Sequence, residues 1–191
     1  MPPSIIAAIS LITWFALALA CSRHGILAQF HSATLLAWGL AVPSALFSAI
    51  YTGSRPCRNW ILALPLRALT LGEVPRILGG SFLLWKYTQG VLPAAFSLPT
   101  GISDIAAGAT AIPAAWLLLS PSGQPKPGFL IWQLAGFTWL IISSASGIVT
   151  SPPALSLFPM NLVPVFFGPL MILFHLAALT ITLRGRQILS T

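Results

Sequence analysis

Four side chains in this sequence carry proton-transfer chemistry inside stretches that are otherwise apolar. Glu73 and Arg76 stand three positions apart, and Asp104 and His175 each interrupt a long hydrophobic run. Two carboxylates around one guanidinium leave a net charge near −1, and an imidazole beside them can accept and pass on a proton. Such a group suits a proton relay, or a pocket for a cationic or hydrogen-bonding solute. The plainer alternative is a buried ion pair that fixes the register of neighbouring helices.

The elements that must position these residues follow from composition. Of 191 residues, 57% are hydrophobic and only 6% are charged; the mean hydropathy is +0.91. A soluble domain is typically about 25% charged. Eleven charges, nine basic and two acidic, cannot clothe a soluble fold of this length. The apolar runs are longer than barrel strands, so the expected class is all-α, an integral membrane protein of the helical kind. The net charge of +7 has no clustered basic face behind it, which argues against nucleic acid as a partner.

About six crossings are expected, at residues 4–21, 25–51, 61–88, 94–119, 129–149 and 161–183, forming one transmembrane domain over 1–191. The start, MPPS, lacks the basic residues of a signal peptide. The loops GSRPCRN and SPSGQPKPG read as breaks. An inside N-terminus places Arg55, Arg58, Lys126, Arg184 and Arg186 in the cytoplasm and leaves Arg23 and Lys86 outside. The positive-inside rule therefore favours both termini inside, in a bacterial inner (plasma) membrane. Trp60 and Trp132 then lie near the inner interface, Trp85 near the outer one. Cys21 and Cys57 fall toward opposite faces and cannot bridge.

Depth follows from a rise of 1.5 Å per residue. Arg76 lies ~15 Å from the inner face and Glu73 ~10 Å; Asp104 lies ~15 Å below the outer face, and His175 ~12 Å from the inner one. Arg76 and Asp104 are expected to meet near the midplane, with Glu73 on the same helix face as Arg76. Helix breakers accompany the charges: Gly72-Glu73-Val74-Pro75-Arg76, Leu98-Pro99-Thr100-Gly101, and Pro164 with Pro169. Pro43 is expected to interrupt the second span. Broken helices at membrane depth are tolerated where they line a cavity or are buried in protein. Ser143, Ser144 and Gly147 read as close helix packing.

His24 belongs to an outer turn, and His31 is expected ~10 Å below the outer surface. His31 and His175 then differ in depth by ~11 Å, too far for two histidines to share a haem. No metal-ligand spacing and no phosphate-binding glycine loop occurs, so no cofactor is expected.

One enzymatic pattern remains. The run Gly101-Ile102-Ser103-Asp104 lies at the start of the fourth span, with His175 on the sixth. In helix count and order this resembles the rhomboid intramembrane proteases, whose GxSG serine is on the fourth helix and whose histidine is on the sixth. The resemblance implies a catalytic dyad of Ser103 as nucleophile and His175 as base. It departs from the family at Asp104, in place of glycine, and at Leu35, where an asparagine is expected. The segment LAALTITL after His175 also lacks the family's small-residue spacing.

The leading expectation is a membrane protein that binds or translocates a small solute or proton. Glu73 and Asp104 hold the cation or proton, Arg76 holds them apart, and His175 relays. The alternatives are a non-catalytic accessory or structural subunit of a larger membrane complex, and the rhomboid-like serine protease. Lipid is the expected surrounding, and a homo-oligomer is compatible with so small a chain.

Overall fold

Long apolar runs with no backbone partner but themselves form helices, because a helix satisfies its own amides. The computed structural model describes the backbone over residues 3–188 and side chains over 4–184. Met1, Pro2 and the side chain of Arg186, which entered the sequence reading, lie outside the described residues. Helices follow in the order α1 (Pro3–Arg23), α2 (Ser32–Gly53), α3 (Arg55–Leu62), α4 (Leu66–Leu71), α5 (Arg76–Thr88), α6 (Ala94–Leu117), α7 (Pro127–Thr150) and α8 (Gly168–Ile188). No strand occurs among the described residues.

Four stretches are long and apolar enough to cross a membrane: Ser4–Arg23, Ser32–Gly53, Pro127–Thr150 and Val163–Arg184. The α4–α5 segment and α6 fall outside this set. The helix α5 is short, and α6 is diluted by Gly, Ser, Thr and Asp104. Burial is inverted relative to a soluble protein. Glu73, Arg76, Gln133, Asn161 and His175 are buried, while Ile12, Trp38, Leu78, Trp116, Ile131 and Val149 are exposed. These features point to a membrane protein.

Two ends of the bundle can be distinguished by which loops meet. At one end, residues 62–67 gather with 121–125, Ile181 and Arg184. At the other, residues 28–32 gather with Ser151, Pro153 and Ser156. Arg55, Arg58, Arg67, Lys126 and Arg184 belong to the first end, hereafter the basic end; Arg23 and Lys86 belong to the opposite one. Cys57 lies toward the basic end and Cys21 toward the other, and both are free.

The third expected span, 61–88, is not one helix. It is built from the end of α3, then α4, a turn at Gly72–Pro75, and α5. The chain stays helical through that turn by tightening: the amides of Glu73, Val74 and Arg76 donate to Thr70, Leu71 and Glu73, each three residues back. Proline has no amide to give, so Pro75 forces this change from four-residue to three-residue spacing.

The remaining prolines do not break their helices. Pro43 sits inside α2, and Pro99 and Pro113 sit inside α6, both continuous. At Pro99 the reason is visible. The missing amide frees the carbonyl four residues earlier, at Ala95, and the Ser146 hydroxyl of α7 donates to it at 2.9 Å. Pro164 lies within a π-helical turn, Val163–Phe167, that continues directly into α8, so the last span bulges without parting.

The helices approach closely where side chains are absent. A Cβ on Gly80 would stand 2.5 Å from the Gly101 carbonyl oxygen, and one on Gly108 would stand 2.7 Å from Ile77. Those contacts bring α5 against α6 along its length. Gly147 meets Leu36 and Phe96 in the same manner, with Ser143 buried on the same helix. By contrast α1 is peripheral. It touches the rest through α3, the turn at Leu27–Gln29 and the Val163–Phe167 turn, where Trp14 and Phe15 pack on Phe166.

Candidate functional site

Two local devices set the relative positions of the charged residues. The tightened turn leaves Glu73 just ahead of α5 and makes Arg76 its first residue. The glycine contacts at Gly80, Gly101 and Gly108 then bring Asp104 of α6 beside Arg76. The Arg76 Nε and Nη2 donate to Asp104 Oδ1 at 2.9 Å and 2.7 Å. Its Nη1 donates to Glu73 Oε2 at 2.9 Å. The same Nη1 lies 3.2 Å from Nε2 of His175. One guanidinium thus ties the chain ahead of α5 to α6 and α8.

The proton positions on His175 follow from its neighbours. A guanidinium has donors only, so Nε2 accepts from Arg76 and the ring proton resides on Nδ1. Nδ1 donates to Gln133 Oε1 at 2.7 Å, which fixes the tautomer and the ring plane. Room for the ring comes from Gly136, one turn further along α7, where a Cβ would stand 2.8 Å from His175 Cε1. With a neutral imidazole the cluster carries one positive and two negative charges. Nε2 also lies 3.6 Å from Glu73 Oε2, so a proton arriving there would point at a carboxylate.

Exposure differs within the group. Glu73 and His175 are 1% exposed, and Arg76 is 5% exposed. The Asp104 side chain retains 18%. It is the one acid of the cluster reachable from outside the helix packing.

The structure brings Glu73, Arg76, Asp104 and His175 into one contact group. It does not bring Ser103 to His175. The Ser103 hydroxyl donates to the Thr100 carbonyl at 3.0 Å and lies 3.5 Å from Ser143. Both His175 nitrogens are engaged by Gln133 and Arg76. The dyad implied by the rhomboid resemblance is therefore not formed. Gly101, moreover, does not open α6 but lies well inside it, packed on Leu84 and Gly80.

His31 also differs from expectation. It caps α2 from outside in an extended conformation and is exposed, instead of lying within the span. The chain before it forms a short Leu27–Gln29 turn, so the second helix begins seven residues later than the span's expected start at 25. Gln133 and Gly136 were not singled out in the sequence. Their signal was available: Gln133 is the one amide side chain in α7, and a glycine follows at the next turn.

Comparison with curated proteins finds no match, and comparison with solved structures finds none either. Residues 32–183 match a family described as a domain of unknown function, DUF8737. The matched segment begins at the first residue of α2 and contains every member of the polar cluster, and the chain belongs to that family.

Proposed function

We propose that this chain crosses the membrane about six times, with its basic end in the cytoplasm, and takes up or relays a proton at the Glu73–Arg76–Asp104–His175 cluster. The charge asymmetry between the two ends supports the orientation. The α4–α5 segment, although interrupted, runs between the two ends beside α6 and supplies a crossing that hydropathy alone misses.

A single observation carries the proton reading. His175 Nε2 stands between Arg76 Nη1 and Glu73 Oε2, at 3.2 Å and 3.6 Å. A small turn of the ring exchanges an acceptor role toward arginine for a donor role toward a carboxylate. Gln133 can hold Nδ1 through both states, since Nδ1 donates in each. Intramembrane ionisable residues mark proton and ion pathways more often than not. A proton needs only a hydrogen-bonded chain, whereas a solute needs a passage, and the two cavities described lie at the ends of the bundle, away from the cluster.

A second reading has its own support. Helix α1 is apolar on all sides, with Ile5, Ile6, Ile9, Ile12 and Leu17 exposed, as a helix that docks against a larger membrane complex would be. Its packing on the remainder is slight.

The test is proton flux into proteoliposomes carrying an internal pH-sensitive dye. Wild-type flux above that of empty vesicles is expected, with loss in Glu73→Gln and Asp104→Asn while both variants keep the native elution profile. Flux equal to that of empty vesicles in the wild type, or unchanged in both variants, would refute the proton reading.

A further inference from the structure

The nine cations of this chain face only two carboxylates, and both are taken by Arg76. Among the described residues no other Lys or Arg has a carboxylate partner. Two of these cations converge. Arg67, near the start of α4, and Arg184, toward the end of α8, line one cavity of about 710 Å³ at the basic end. That volume falls in the range of ligand pockets.

The two arginines are presented differently. Arg67 is held: its Nε donates to the Ala115 carbonyl at 3.2 Å and its Nη2 to the Ser120 carbonyl at 3.1 Å. Its guanidinium lies 4.7 Å over the Trp116 ring. Nη1 takes part in neither bond, so a fixed plane keeps one end of the fork for a ligand. Arg184 is exposed and lies 5.7 Å over the Tyr51 ring. Between them the wall is apolar, from Leu64, Leu66 and Ile181, with Gln124 supplying an amide from the loop. Among the described residues no carboxylate lines the cavity.

An anion with a tetrahedral oxygen face and an apolar body matches this lining: guanidinium forks bind phosphate, and the leucines accept chain. We propose that the cavity binds the phosphate headgroup of an anionic phospholipid. Arg67 is the rigid donor and Arg184 the mobile one. In the proposed topology, on which this inference rests, the site falls at the level of the headgroups, and Arg55, Arg58 and Lys126 at the same end add attraction without lining the cavity.

The experiment uses the full chain in detergent, titrated with phosphatidylglycerol or phosphatidylcholine and read by native mass spectrometry. Phosphatidylglycerol should be retained in preference to phosphatidylcholine. Arg184→Gln should weaken that retention about fivefold, and Arg67→Gln with Arg184→Gln about thirtyfold. Arg55→Gln with Arg58→Gln, which do not line the cavity, should weaken it less than Arg184→Gln alone. Arg184→Gln removes no hydrogen bond seen within the protein, so it keeps the test readable if Arg67→Gln fails to fold. Equal retention of the two lipids overturns the proposal, as does preference untouched by Arg184→Gln. Inorganic phosphate binding with millimolar strength in place of any lipid preference would assign the site to a soluble phosphate and overturn the lipid.

Discussion

Replacing Arg76 with methionine removes all the hydrogen bonds that join the turn ahead of α5 to α6 and α8, while keeping an unbranched chain of similar reach. Glu73, 1% exposed, would lose its cationic donor altogether. Asp104 would lose two donors but keeps 18% exposure through which to be solvated. Removing one partner of a buried pair costs about 3–5 kcal/mol. The lower end applies here because one of the two orphaned carboxylates is partly accessible. At roughly 2–4 °C per kcal/mol for a chain of this size, Arg76→Met should melt about 10 °C below wild type. Adding Glu73→Gln and Asp104→Asn removes the stranded charges, so the triple variant should recover at least half of that loss. The assay is thermal unfolding in a fixed detergent, followed by circular dichroism. An Arg76→Met melting point within about 2 °C of wild type, or a triple variant less stable than the single one, would refute the reasoning.

Three further outcomes follow from packing and topology. Gly136→Ala places a Cβ against the His175 ring, and should lower stability by about 1–3 kcal/mol and shift the His175 ring resonances; unchanged resonances would show the ring has slack. Ser146→Ala strips the donor from the Ala95 carbonyl and should cost about 1 kcal/mol, measured by the same melt, while Ser144→Ala, which bonds only within its own helix, should be near neutral. Single cysteines at Arg55 and Gln29, both exposed, should react with a membrane-impermeant maleimide from opposite sides of the membrane, Arg55→Cys from the cytoplasmic side; labelling of both from one side would overturn the topology.

How far the site was legible depends on what the helix fixes. Rise per residue is nearly constant, so depths counted from loop positions brought Arg76, Asp104 and His175 to one layer without any structure. The hydrophobic runs likewise announced helices in a membrane. Continuity through proline was not legible. Whether Pro99 breaks α6 depends on a serine donor forty-seven positions away, Ser146, and no local pattern encodes that contact. The partition of 61–88 failed for the opposite reason. Pro56 and Pro65 flag the ends of the short amphipathic α3, but an eight-residue helix leaves little periodic signal beside long spans. Gln133 was visible as a lone amide, yet its meaning depends on a partner in another helix.

The peripheral packing of α1 has a consequence for parity. The family's matched segment opens at α2, and with the proposed crossings it contains an odd number of passes, so its own start and finish lie on opposite sides. Adding α1 makes the number even and returns the start of the chain to the basic side. A helix that contributes so little to the core can thereby decide where everything attached ahead of it resides. Removing residues 1–23 should leave the charged cluster assembled while moving a tag at the new start across the membrane.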